Sequence, residues 1–261
     1  MSLPQRCLLS FLCAVSSAFA VDGVVLIDQA RAMAGNVTPG DTPGFPITIT
    51  QKGSYRLSGN LSVSDANTTA MEIRSDFVTI DMNGFSITGP ADCSSRPCTP
   101  RGTGRGIQAG DEPSRRSYFN IVIRNGTIQG MGATGIDIYG DAITIEDMTL
   151  RANAETGLAC YRSGNQRSVR VRNNHILLNG WHGALVENGV VVGNTASSNG
   201  NIGLWVLGGI VLQNLSDSNV GVGIALGSNT GAGENVSKGN GVNDMSGGVP
   251  LGKNYCKDNS C

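Results

Sequence analysis

Residues 179–227 read NGWHGALVENGVVVGNTASSNGNIGLWVLGGIVLQNLSDSNVGVGIALG, and the same landmarks return every 20 residues. Asn179, Asn199 and Asn219 each stand four residues before a glycine: Gly183, Gly203 and Gly223. Each glycine opens a short alternating run, GALVE, GLWVL or GIALG. A run of this length is too short for a helix, and its valine and isoleucine content suits a strand. A fixed period carrying short strands and turns is the signature of a solenoid.

The pattern extends towards the N-terminus. GIQAG begins at Gly106, GIDIY at Gly135 and GLACY at Gly157, and AMEIR at Ala70 is a member without the glycine. The successive glycine offsets are 29, 22, 26, 20 and 20 residues. Asn153 adds a fourth member to the asparagine series. A further series reads Asn125, Asp147, Asn173, Asn194, Asn214 and Asn235, each following a β-rich pair as in VRVRN and IVLQN. One coil of about 20 residues has room for three short strands and three corners, with like strands stacked about 4.8 Å apart in parallel sheets. Asparagine accepts the left-handed backbone of a sharp corner, and stacked asparagine amides bond along a column.

These strand starts and asparagine ladders resemble the right-handed parallel β-helix of the pectate-lyase-like superfamily, over roughly residues 70–240. The openings PGFPITITQKGSYRLSGNLSV (residues 43–63) and VTIDMNGFSITG (residues 78–89) resemble bacterial secreted β-helix proteins without assigned activity. The expected fold is therefore all-β, a single right-handed parallel β-helix with three short strands per coil and a short N-terminal capping helix. VLIDQARAMAGN (residues 25–36) has helical apolar spacing and a Gly-Asn stop. Residues 21–69 are assigned to the N-terminal cap and first irregular strands, 70–240 to the coils and 241–261 to a C-terminal cap.

Residues 1–20 read as a secretory signal peptide. Arg6 supplies the charged start, CLLSFLCAV the apolar core, and AFA a cleavage site after Ala20. A secreted or periplasmic location follows, and no other segment is apolar enough to span a membrane. The net charge of −1 gives no bulk attraction to nucleic acid. An oxidising compartment favours local Cys93–Cys98 and Cys256–Cys261 disulfides. Cys160 alternates inward and is expected to be a free, buried, inert thiol.

The resemblance directs attention to the outward face of the first strand of each coil, where enzymes of that superfamily bind sugar. One column reads Glu72, Gln108, Asp137, Ala159, Leu185, Trp205, Ala225; the next reads Arg74, Gly110, Tyr139, Tyr161, Glu187, Leu207, Gly227. Tyr139, Tyr161 and Trp205 suit the apolar faces of sugar rings. Arg101, Arg105, Arg115 and Arg116, in insertions at residues 90–105 and 111–117, suit an acidic polysaccharide. If the protein is an enzyme, it is a lyase, glycoside hydrolase or epimerase with Asp137 as acid/base and Glu72 or Glu187 as partner. Calcium enters only with lyase chemistry; no other cofactor and no metal site are expected. A third reading is a non-catalytic envelope scaffold. Glu72 and Asp137 fall two coils apart, about 10 Å, which favours binding or structure over turnover. In NGWHG, Asn179 and Gly183 belong to the ladder, His182 fills a half-buried corner slot shared with Thr156, Ile202 and Val222, and Trp181 is exposed.

Overall fold

The computed structural model describes residues 23–111, 116–162, 169–257 and 261. The signal peptide assigned to residues 1–20 lies outside them, as does Arg115. The described chain is a single β-solenoid of about nine turns. Every pairing between its strands is parallel and joins one coil to the next. The first sheet stacks Ile47–Ile49, Met71–Ile73, Ile107–Ala109, the start of Ile136–Arg151, Leu158–Arg162, the start of Ala184–Val192, the start of Leu204–Leu212, Ile224–Leu226 and Met245–Ser246. A second sheet contains Val24–Ile27, Gly53–Leu57, Val78–Asp81 and residues 121–124, 143–146, 169–172, 189–192 and 209–212. The third runs from Leu61–Ser62 through His175–Leu177 and Thr195–Ser197 to Tyr255–Cys256.

The period-2 pattern of each strand builds the core. Ile136, Ile138, Leu158, Cys160, Leu204, Val206 and Ile224 point inward and are buried. They join Ile121, Ile123, Ile143, Ile145, Val171 and Val191 of the second sheet in one continuous cluster. Each such side chain contributes about 1.5–3 kcal/mol by leaving water.

Two asparagine columns run along the interior corners. In one, Asn153, Asn179, Asn199, Asn219 and Asn240 are linked so that each Oδ1 after the first accepts from the backbone N–H and the Nδ2 of the asparagine one coil earlier, while Asn153 Oδ1 accepts from Met131 N–H at 3.1 Å. This column ends on the buried Asp244, whose Oδ1 accepts from Asn240 Nδ2 at 2.9 Å and whose Oδ2 accepts from Lys257 N–H at 3.0 Å. The glycine four residues on is required by close approach. A Cβ on Gly183 would lie 2.4 Å from Gly203 O and 2.7 Å from Asn199 Nδ2.

The second column corrects the sequence register by one residue. Its members are Asn174, Asn194, Asn214, Asn235 and Asn254. Asn125, Asp147 and Asn173 instead occupy the preceding position, with φ of +63°, +54° and +56°. The left-handed corner and the inward amide are adjacent residues, as Leu178 (φ +59°) before Asn179 also shows. The asparagines do the ladder bonding, and their neighbours take the corner.

The helix expected over residues 25–36 is shorter. Val24–Ile27 is a strand of the second sheet, and only Gln29–Ala34 is helical. Asp28 caps it by accepting from Arg31 N–H at 2.8 Å, and the Gly35-Asn36 stop holds, both residues having left-handed φ. β-structure also continues past residue 240: Met245–Ser246, Val249–Pro250 and Tyr255–Cys256 add a strand to each sheet. Both expected disulfides are present, and Cys160 is free and buried. No described helix is long and apolar enough to cross a membrane.

Candidate functional site

The first-sheet columns stand in the expected register. Glu72 pairs with Gln108, Gln108 with Asp137, Asp137 with Ala159, Ala159 with Leu185, Leu185 with Trp205 and Trp205 with Ala225. Tyr139 and Tyr161 are register partners in the second column, and Glu187 pairs with Leu207. The face is not uniformly open, because Ala159 in its middle is only 3% exposed.

A cavity of about 200 Å³ opens on this sheet, lined by Arg105, Gln108, Gly110, Asp111, Asp137, Tyr139 and Tyr161. Four expected site residues thus meet in one place. Arg105 comes from the insertion before its coil and sits in the corner slot; its Nε donates to Asp137 Oδ2 in the next coil. Its Nη1 also donates to the Thr103 carbonyl at 3.2 Å, which fixes the guanidinium over the sheet. The pair is half-buried, with side chains 33% and 20% exposed. Gly110 (φ +68°) permits a tight turn, after which Asp111 and Arg116 form an antiparallel bridge at the cavity rim. The Arg116 side chain is exposed and does not line the cavity.

The other two carboxylates are elsewhere and already engaged. Glu72 accepts two hydrogen bonds from Arg74, both 2.8 Å, an interaction that holds the guanidinium above its ordinary pKa. Glu187 accepts from the backbone N–H of Arg162 at 3.2 Å. Glu72 and Asp137 are separated by Gln108, so no carboxylate pair forms in this column. Among the described residues no group of three His, Cys, Asp or Glu side chains is placed to hold a metal.

Trp205 is drawn into a different cluster. The His182 ring lies between Trp181 and Trp205, with centroids 5.2 Å and 5.3 Å away and both contacts edge-to-face. His182 Nδ1 accepts from Ile202 N–H at 3.3 Å, and burial lowers its pKa from 6.5 to about 4. Nearby on the same corner, Arg101 reaches back from the disulfide loop to Glu155 at 2.8 Å. Arg101, Glu155, Thr156 and Trp181 line a second cavity of about 350 Å³. Trp181 occupies the slot of Glu155 one coil later, its backbone N–H donating to the Glu155 carbonyl at 2.8 Å, and that repeat position is the sequence signal for this pocket. A third arginine of the loop, Arg96, donates to the Ser198 carbonyl, so the insertion lies along several coils. Burial lowers the pKa of Arg96.

Residues 112–257 match the family of right handed beta helix regions. The chain belongs to that family. No curated protein matches the sequence. The β-helix is similar to the A-module of mannuronan C-5 epimerase AlgE4 from Azotobacter vinelandii, with a TM-score of 0.53 and 17% identity. That match covers 85% of this chain and 63% of the module. It is also similar to the enzymatically active domain of tailspike protein 2 from bacteriophage CBA120, with a TM-score of 0.50, 11% identity, and coverage of 82% and 40%. The chain therefore spans less than two thirds of either structure, and at these identities the likeness is one of fold.

Proposed function

We propose that this β-helix binds polysaccharide along its first sheet, centred on the Arg105–Asp137–Tyr139–Tyr161 cavity. The carrying observation is that cavity itself: two tyrosines one coil apart beside a fixed guanidinium–carboxylate pair. Aromatic faces suit sugar rings, and a charged pair supplies both donors and acceptors to ring hydroxyls. A mannuronan C-5 epimerase module of similar fold supports a glycan as the class of partner. The lining places one arginine against Asp111 and Asp137, so an acidic glycan has to compete with Asp137 for Arg105. A neutral or weakly charged chain fits with less rearrangement.

Binding is favoured over turnover because Glu72, Asp137 and Glu187 each have a partner and none faces another. The two disulfides support export to an oxidising compartment, consistent with a leader at residues 1–20. The short helix Gln29–Ala34, with Ala32 in the core, is read as the stopper of the N-terminal end.

The test is a pull-down and titration series on polygalacturonate, alginate, peptidoglycan and neutral glycans. Binding that a Tyr139→Ala/Tyr161→Ala variant weakens at least tenfold supports the proposal. Absence of binding, or equal binding by that variant, overturns it. Unsaturated products, new reducing ends or altered alginate stereochemistry in the same incubations would instead establish an enzyme.

A further inference from the structure

We infer that the corner cavity of Arg101, Glu155, Thr156 and Trp181 is a separate subsite for a neutral pyranose, stacked on the Trp181 indole and hydrogen-bonded by the Arg101–Glu155 pair. It does not depend on the first-sheet cavity. Thr156 and Tyr161 belong to the same coil, so the two sites overlap along the axis and are separated across the sheet: Thr156 stands at the corner before Leu158–Arg162, and Tyr161 near the end of that strand.

Three observations carry the inference. Trp181 is 52% exposed, which leaves a large aromatic surface to solvent. Its ring is nevertheless braced: His182 packs edge-to-face against it, and His182 is in turn held by Trp205 and by Ile202 N–H. A fixed aromatic plate loses little entropy when a ring stacks on it. Second, the plate is flanked by hydrogen-bonding groups. Trp181 N–H donates to the Glu155 carbonyl at 2.8 Å, so the two side chains leave neighbouring coils at the same corner slot. Arg101 Nη2 bonds Glu155 Oε1, and the Thr156 hydroxyl and the indole N–H take no part in the hydrogen bonds made among the described residues. Third, the charges select the ligand. One guanidinium and one carboxylate leave the pocket neutral, and Arg101 is already engaged. A uronate would meet Glu155 without a free cation, whereas adjacent sugar hydroxyls can donate to Glu155 and accept from Arg101 together.

The experiment titrates the protein with neutral gluco-, galacto- and manno-oligosaccharides and with oligogalacturonate and oligomannuronate. Trp181 fluorescence is followed in a Trp205→Phe background, since the chain has two tryptophans, and affinity is measured by calorimetry in the wild type. The expected result is a saturable fluorescence change with at least one neutral oligosaccharide. Trp181→Ala should weaken that binding at least tenfold, Trp181→Phe should restore part of it, and Glu155→Gln should weaken it several-fold. The Trp181 fluorescence change should persist in a Tyr139→Ala/Tyr161→Ala background, in which first-sheet binding is weakened, and this separates the subsite from the first-sheet proposal. Trp181 is exposed, and unchanged circular dichroism will show that its variants fold. In the Tyr139→Ala/Tyr161→Ala background, binding of neutral sugars that ignores Trp181→Ala, no response to any neutral sugar, or Trp181-dependent binding of uronates alone would each overturn the inference.

Discussion

His182 and Cys160 show how a residue's chemistry is set by its place in a coil. His182 is buried between two indoles, and its imidazole takes a proton only near pH 4 in the folded protein. The unfolded chain protonates it near its ordinary 6.5. As pH falls from 6.5 the unfolded state therefore gains protons first, and stability drops until about pH 4, below which this contribution is constant. Chemical denaturation from pH 7.5 to 4 should show that loss, and His182→Gln should flatten it. An unchanged slope in the variant would assign the loss to other groups. Cys160 is wholly buried, and desolvation first, then the nearby Asp137 carboxylate, raise its pKa. A chain beginning at Val21 should show one thiol, reactive with a thiol reagent after unfolding and silent before. Prompt reaction in the native protein would place Gly157 in the wrong register.

The asparagine columns are the elements on which this solenoid's corners depend. Asn174 Oδ1 accepts from Met148 N–H at 3.0 Å, and its Nδ2 donates to Ile145 O and Asn194 Oδ1. Asn174→Ala orphans these buried groups at about 1–3 kcal/mol each, so a loss of several kcal/mol is expected. Asn173, one residue away, sits exposed with φ +56°. Asn173→Gly keeps that backbone accessible and should change stability by less than about 1 kcal/mol. Urea midpoints of the two variants compare them directly. Equal effects would contradict the one-residue offset between ladder and corner.

Along the whole molecule, each coil touches mainly its neighbours, so stability is local. Asp244 closes one asparagine column and joins it to Lys257 of the last turn. Asp244→Ala should raise amide exchange in residues 230–256 and leave residues 136–160 protected. Exchange that rises equally in both regions would show that the solenoid opens as one unit. The insertion at residues 90–105 works against such locality. Arg96, Arg101 and Arg105 bond to Ser198, Glu155 and Asp137, linking residues 32 to 102 positions apart. It also forms one wall of each proposed glycan site.

The sequence by itself determined the architecture. A glycine four residues after an asparagine, repeated at 20-residue spacing, specifies strand face, corner and stacking together, because a one-residue slip would turn Leu158 and Cys160 outward. It also determined both outward columns and both disulfides, which close loops within five residues. The asparagine series after the second strand was read one residue off at Asn125, Asp147 and Asn173. Both the corner and the ladder accept asparagine, and only hydrogen-bond geometry separates them. The sites were decided by tertiary structure. Arg105 reaches Asp137, and Arg101 reaches Glu155, because an insertion without period folds back over the coils. Periodicity assigns a direction to each side chain within a coil. It is silent on what a long arginine in an aperiodic loop will find, and so on why Trp205 turns to His182 while Trp181 is left open.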